Sequence, residues 1–393
     1  MMDVNEELLV LASVDGNKEE VRGLLEKKAD VHYQNEFGQT ALMAAVLSGQ
    51  LEIAGMLLEK GSSPDTKDNN ELNPFIAAGA NGFSDLLKLM ASSGADCGST
   101  NRFGGTALLP ASEKGYAKTV QYSLEAGVPV NHANKLGWTA LHEAVILGDG
   151  GHLYALVIRL LIEAGADIQI KDRNGLSPVE YARQLGQQKI SRLFEGTAQE
   201  DGKLHAELFT LYKEEHYEEG LANIRGASPA SMGNSTLHFW KGLLLQESRK
   251  YNEAIHAYRR GLEMGSEGSQ FHFCIAQCFR LMKQPKEALE ALDKGREESP
   301  LPSFFLYHKS NYLRELGFHT EAVKVMEQLL ERLPDRPDFL FHKANSLRST
   351  GKHQEAIQAM DQALALDPAN ELFTEHRMLS LKLLNKAGQQ NWI

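Results

Sequence analysis

Three cysteines in 393 residues, Cys97, Cys274 and Cys278, are too few to staple a chain of this length. A disulfide framework is excluded, and a reducing compartment is expected. Long apolar runs are also missing. None approaches the roughly 18 residues of a membrane-spanning helix, so no membrane partner is expected. The opening MMDVNEELLVLASVDGNKEEV has neither a basic segment nor a long apolar core. It does not have the form of a signal peptide, and a cytoplasmic location is expected. Basic charge is in deficit, with 41 Lys and Arg against 52 Asp and Glu, a net −11. Residues 1–200 carry 17 basic and 26 acidic side chains, which accounts for −9 of that total. A chain without a basic stripe is poorly suited to a phosphate backbone, so nucleic acid is not an expected partner.

Chemical motifs are missing as well. There is no phosphate loop, no nucleophile elbow and no Cys₄ or Cys₂His₂ spacing. Cys274 and Cys278 stand four apart on one helix, with only His272 nearby in sequence, and read as core residues. His142, Glu143, Asp149 and His152 cluster in sequence but lack the convergence that hydrolytic or metal chemistry needs. We therefore expect no enzyme, no catalytic residue, no metal, no cofactor and no small-molecule substrate.

What the chain has is periodicity. Gly38, Glu71, Gly104 and Gly137 are 33 apart, and Gly175 follows after 38. Gly220, Ala254, Ala288, Ala322 and Ala356 are 34 apart. Fixed periods of this size predict stacked helical repeats, a solenoid that presents an extended recognition surface. The expected architecture is all-α, two helical solenoids in tandem. Residues 1–198 form the first array of about six units and 199–203 a linker. Residues 204–393 form the second array of about five units and a capping helix.

In the first array, GWTALHEAV over 137–145 places a Thr cap before a short helix, then an Ala where two helices approach. LVIRLLIEAGADIQIKDRNG follows, with Gly165 ending the second helix and Asp-x-x-Gly signalling a turn. The set recurs as GQTALMAAV, ELNPFIAAG, GGTALLPAS and GLSPVEYAR. It resembles the ankyrin repeat, and one stretch is similar to a bacterial group of such proteins. The resemblance implies short β-hairpin fingers and a protein-binding function. The first unit, EELLVLASVDGNKEEVRGLLEKKADVHY, lacks the finger and reads as an N-terminal cap. Two departures stand out. The fifth unit is five residues longer than its neighbours (38 − 33), which brings Asp149 and His152 into a long loop. Apolar residues flank the finger glycines at Phe37, Phe103, Leu136 and Trp138, which predicts a contact strip for a folded partner.

In the second array, LHFWKGLLLQESRKYNEAIHAYRRGLEM over 237–264 pairs two amphipathic helices. Gly242 and Ala254 sit at the close approach. The set recurs three times, with Pro300, Pro334 and Pro368 after the second helices. It resembles the tetratricopeptide repeat. Offsets of four and three residues on each first helix share one face. Stacked units then build an aromatic row of Phe239, Phe273, Tyr307 and Phe341. Beside it run an amide row of Gln277, Asn311 and Asn345 and an arginine row of Arg280, Arg314 and Arg348. The resemblance implies that this face is a concave groove for an extended peptide, with arginines suited to carboxylates. The carboxylate clamp of heat-shock co-chaperones needs a Lys four residues before each Asn, and Tyr307 and Phe341 stand there instead. Expected partners are proteins or peptides, held by a non-enzymatic adaptor. The alternatives are a regulatory subunit of an enzyme and a secreted effector acting on host proteins.

Overall fold

The computed structural model describes residues 3–196, 203–227, 235–263 and 269–390. The chain divides into two compact units, Met1–Thr197 and Ala198–Ile393. The linker expected at 199–203 lies outside the described residues, apart from Lys203, which opens a helix.

The first unit is a stack of helix pairs. Asp3–Asp15 pairs with Lys18–Glu26, Ala41–Leu47 with Leu51–Glu59, and Pro74–Asn81 with Ser84–Ser92. Leu108–Glu113 pairs with Ala117–Glu125, Ala140–Ile146 with His152–Glu163, and Pro178–Gln184 with Gln188–Phe194. The first helices are short because caps fix their starts. Thr40 Oγ1 accepts from Met43 N at 3.2 Å and Asn73 Oδ1 from Ile76 N at 2.8 Å. Ser177 and Glu180 cap each other's backbone N–H groups at 3.3 and 2.7 Å. Ala41–Val46 and Ala140–Val145 are buried all round, since a helix stacks on either side of them, and in the second of these that includes His142 and Glu143.

No strand occurs among the described residues, so the expected β-hairpin fingers are instead tight turns. Each is wired around one Asx side chain. Asn35 Oδ1 accepts from Phe37 N at 3.0 Å and from Gln39 N at 2.9 Å. Asp68, Asn101, Asn134 and Asp172 repeat the pattern onto the backbone N–H groups two and four residues on. A side chain that satisfies two N–H groups removes the incentive to pair as a ladder. The glycine three residues after the Asx takes positive φ, +73° at Gly38 and +80° at Gly137. Glu71 holds the same geometry at +59° with a side chain, which stores local strain. Neighbouring fingers share single backbone bonds, Asn69 N to Phe37 O at 3.1 Å and Lys135 N to Phe103 O at 3.0 Å.

The second unit pairs Lys203–Lys213 with Tyr217–Gly226, Ser235–Glu247 with Tyr251–Leu262, and Ser269–Leu281 with Pro285–Glu298. Pro302–Glu315 pairs with His319–Arg332 and Pro337–Ser349 with His353–Leu366, and Glu371–Gln390 follows. The small residues hold the pairs close. A Cβ on Gly242 would come within 2.3 Å of Tyr258 Cε1, and one on Gly295 within 2.1 Å of Phe305 Cε1. No helix among the described residues is long and apolar enough to cross a membrane.

Candidate interaction surfaces

In the second unit the three rows fall on successive first helices, but they do not all face outward. Phe239, Phe273, Tyr307 and Phe341 are buried. Each packs against rings in its own or the following helix pair. Phe273 meets Phe304 at 5.0 Å and His308 at 4.6 Å, and Tyr307 meets Phe339 at 5.5 Å. Phe341 meets His376 at 4.7 Å. The aromatic row is thus mortar between units, not groove lining. The offset that puts these residues on one helix face does not reveal that the next helix covers it.

The amide and arginine rows are joined. Arg314 donates to Asn311 Oδ1 on its own helix and from Nη1 to His342 Nδ1 at 3.0 Å on the next first helix. Arg348 repeats this with Asn345 Oδ1 and with His376 Nδ1 at 2.7 Å. Arg280 departs from the pattern and donates from Nε to Glu315 Oε2 at 3.3 Å. Gln277 and Asn311 are buried, whereas Asn345 and all three arginines are half-buried. His308, His342 and His376 were not singled out from the sequence. Their 34-residue spacing could have found them. A second periodic stitch joins Lys309 to Asp293 at 2.7 Å, Lys343 to Glu327 at 2.9 Å, and Arg377 to Asp361. Such partly exposed pairs stabilise by about 1 kcal/mol or less each.

Cys278 is buried, its Sγ 3.4 Å from Gln246 Oε1, and burial pushes its thiol well above the usual range. Among the described residues, no three His, Cys, Asp or Glu side chains converge as metal ligands would.

In the first unit the expected contact strip is broken. Phe37 is 59% exposed at its finger tip. Phe103 is half-buried beneath the Arg102 guanidinium at 4.7 Å, and Leu136 is half-buried. Trp138 is only 8% exposed, and its Nε1 donates to Asp172 Oδ2 at 3.1 Å. That carboxylate also takes the Tyr181 hydroxyl at 2.7 Å. Trp138 is therefore a bridge between fingers, not a contact tip. Its indole N–H finds a buried acceptor one unit on, which an apolar pattern in the sequence does not disclose.

The residues around the long loop separate into two groups. His142 is buried, and its Nδ1 accepts from Thr139 N at 3.2 Å, so Nε2 carries the proton toward Leu176 O at 3.2 Å. Burial lowers its pKa. Glu143 accepts from Asn134 Nδ2 at 3.0 Å. Asp149 and His152 instead face the sixth helix pair. Asp149 Oδ1 accepts from Gly151 N at 2.8 Å, His152 Nδ1 lies 2.9 Å from Lys189 Nζ, and Gln187 Nε2 donates to Val145 O at 2.9 Å. Burial pushes the Asp149 carboxyl up to about 6. The extra length also resolves. The second helix has 12 residues where three counterparts have 9 (12 − 9 = 3). The connection 147–151 has five residues where 48–50 has three (5 − 3 = 2). Buried and pinned, His152 is part of the stack and not an open contact.

Two stacked arrays of helix pairs with repeating inter-unit wiring define a tandem helical-repeat protein. Its first half matches the ankyrin repeat family over residues 2–68 and 75–172. Its second half matches the tetratricopeptide repeat over 241–301 and 307–371. Ankyrin repeats and tetratricopeptide repeats therefore stand in tandem in this chain. A solved ankyrin repeat domain from Acinetobacter baumannii is 40% identical, covering 49% of this chain and 98% of that one, with a TM-score of 0.48. Ankyrin repeat protein R664 of Acanthamoeba polyphaga mimivirus is 37% identical over 67 residues, 16% of this chain. YahD of Escherichia coli K12, also an ankyrin repeat protein, is 40% identical over 53 residues, 14% of this chain. The chain spans 41% and 26% of the length of these two curated relatives. Both repeat families are protein-interaction modules.

Proposed function

We propose that this chain is a non-enzymatic adaptor. Its tetratricopeptide groove takes an extended, acidic peptide, and its ankyrin fingers hold a folded partner around Phe37, Phe103 and Leu136. The observation that carries the peptide reading is the ladder of Arg280, Arg314 and Arg348. All three recur at one helical position, and all three are half-buried with oriented guanidiniums. A guanidinium held by internal acceptors on one side loses little freedom when a carboxylate arrives on the other. The backbone of an extended peptide would run beside the half-buried Asn345.

The test is selection of random 16-residue peptides displayed against the intact chain. Selected sequences should be rich in Asp and Glu, and their binding should weaken with salt. Arg314→Ala and Arg348→Ala should each cost about 1.5–3 kcal/mol of affinity, the range for hydrogen bonds to charged groups. These arginines also bridge repeat units, so affinity is measured well below each variant's unfolding transition. Neutral or basic selected peptides, or equal affinity in both variants, would overturn the proposal.

A further inference from the structure

The first helix, Asp3–Asp15, is apolar on two opposite sides. Leu9, Val10, Ala12 and Ser13 are buried against the rest of the stack, which includes the helix Ala41–Leu47. On the far side Val4 is 63% exposed, Leu8 38%, Leu11 52% and Val14 45%. At 100° per residue, Val4, Leu8 and Leu11 fall within about 60° of arc, with Val14 about 60° further round. The later first helices, such as Ala41–Leu47 and Ala140–Ile146, are covered on both sides. Asp3–Asp15 therefore has the composition of an interior unit but, among the described residues, a neighbour on one side only. Terminal units of a solenoid ordinarily turn a polar face outward. The first unit does not have the polar outer face of the cap expected from its sequence.

Charge selects what covers it. Residues 1–100 hold 16 acidic and 7 basic side chains, whereas 101–200 hold 10 of each. Residues 3–26 alone hold seven acidic and two basic, and one of those two, Lys18, is paired to Glu52. By the same helical geometry Glu7 falls between Val14 and Leu11, and exposed Asp15 falls within the apolar arc. On the second helix, Glu19 and Glu26 are exposed on the side opposite its buried Val21, Leu24 and Leu25. A second copy of this end would bring two acidic rims together, which is repulsive. Four side chains are also far short of the roughly 1,200 Å² of a stable dimer.

We propose that this open end docks a basic amphipathic helix of a partner protein. A helix laid over Val4, Leu8, Leu11 and Val14 repeats the helix-on-helix packing found on the buried side. Its apolar residues at every third and fourth position meet the stripe, and its Lys or Arg flanks meet Glu7, Asp15, Glu19 and Glu26. This surface uses none of the finger residues or ladder arginines, so it stands or falls independently of them.

The test uses the intact chain and a fluorescein-labelled, 15-residue helix of Leu and Lys in amphipathic order. A Leu and Glu peptide of the same pattern is the control. Anisotropy should show binding of the Leu and Lys peptide alone. The paired change Leu8→Glu with Leu11→Glu should weaken it by about tenfold or more, although it adds negative charge. Should that variant unfold, Leu8→Ser with Leu11→Ser serves, checked by circular dichroism. Absent binding of the Leu and Lys peptide, or undiminished binding by the variants, would overturn the proposal. So would a wild-type dimer in sedimentation that the same variants dissolve, since a second copy would then be the occupant.

Discussion

Asp149 is a half-buried carboxylate in the connection between the two helices of the fifth pair, and desolvation raises its pKa from 3.8 to about 6. The sign follows from linkage. The folded state holds this proton more tightly than the unfolded state, so the favourable contribution is present below the unfolded value and lost as pH rises through about 6. Above that, the ionised side chain is a cost. Asp149→Asn keeps an Oδ1 for Gly151 N and removes the charge. It should stabilise the first unit by about 1–2 kcal/mol at pH 7.5, allowing for the lost attraction to Lys189, and have little effect near pH 4. Thermal unfolding at both pH values measures this, and equal effects at both would refute the burial argument. At this scale the sequence was a partial guide. It pointed to the long connection around Asp149 and to the finger glycines. It could not show that Trp138 donates to Asp172 or that His152 is pinned by Lys189, because those partners lie 34 and 37 residues away.

At the scale of the element, repeat period was the most informative signal. The helix pairs, the close approach at Gly242 and the single-face rows were legible because stacking demands the same residue type at the same place. The fate of each row was not. Whether a helix position faces solvent or the next unit depends on how pairs cross, and so the aromatic row reads as groove lining until the structure shows it buried. The fingers carry the opposite lesson: turn chemistry was visible in Asp-x-x-Gly, but the Asx bonds that keep the fingers from becoming strands are local geometry. In the Asn-Arg-His rung the asparagines and arginines were read from the sequence, and the histidines that join them to the next unit were not. If Arg314 and His342 stabilise the stack through their 3.0 Å bond, their effects on stability should not add. A double-mutant cycle with Arg314→Ala and His342→Ala, followed by urea unfolding, should give a coupling of about 0.5–2 kcal/mol. Additive single effects at neutral pH would mean the rung is incidental.

At the scale of the whole molecule, the two arrays differ in charge as well as period. The acidic excess lies in the first 200 residues, and the second unit carries the arginine ladder. Two arrays with different surface chemistry suit two different partners, which is what an adaptor requires. On the adaptor proposal, multivalent presentation would follow from the covalent link between them, without any contact between the bound partners. The most direct measurement is hydrogen exchange of the intact chain, free and saturated with an acidic peptide obtained by the selection described above. The account predicts slowed exchange in the helices Pro302–Glu315 and Pro337–Ser349, which carry Arg314 and Arg348, and unchanged exchange within residues 3–196. Protection confined to residues 3–196, with those two helices unaffected, would contradict it.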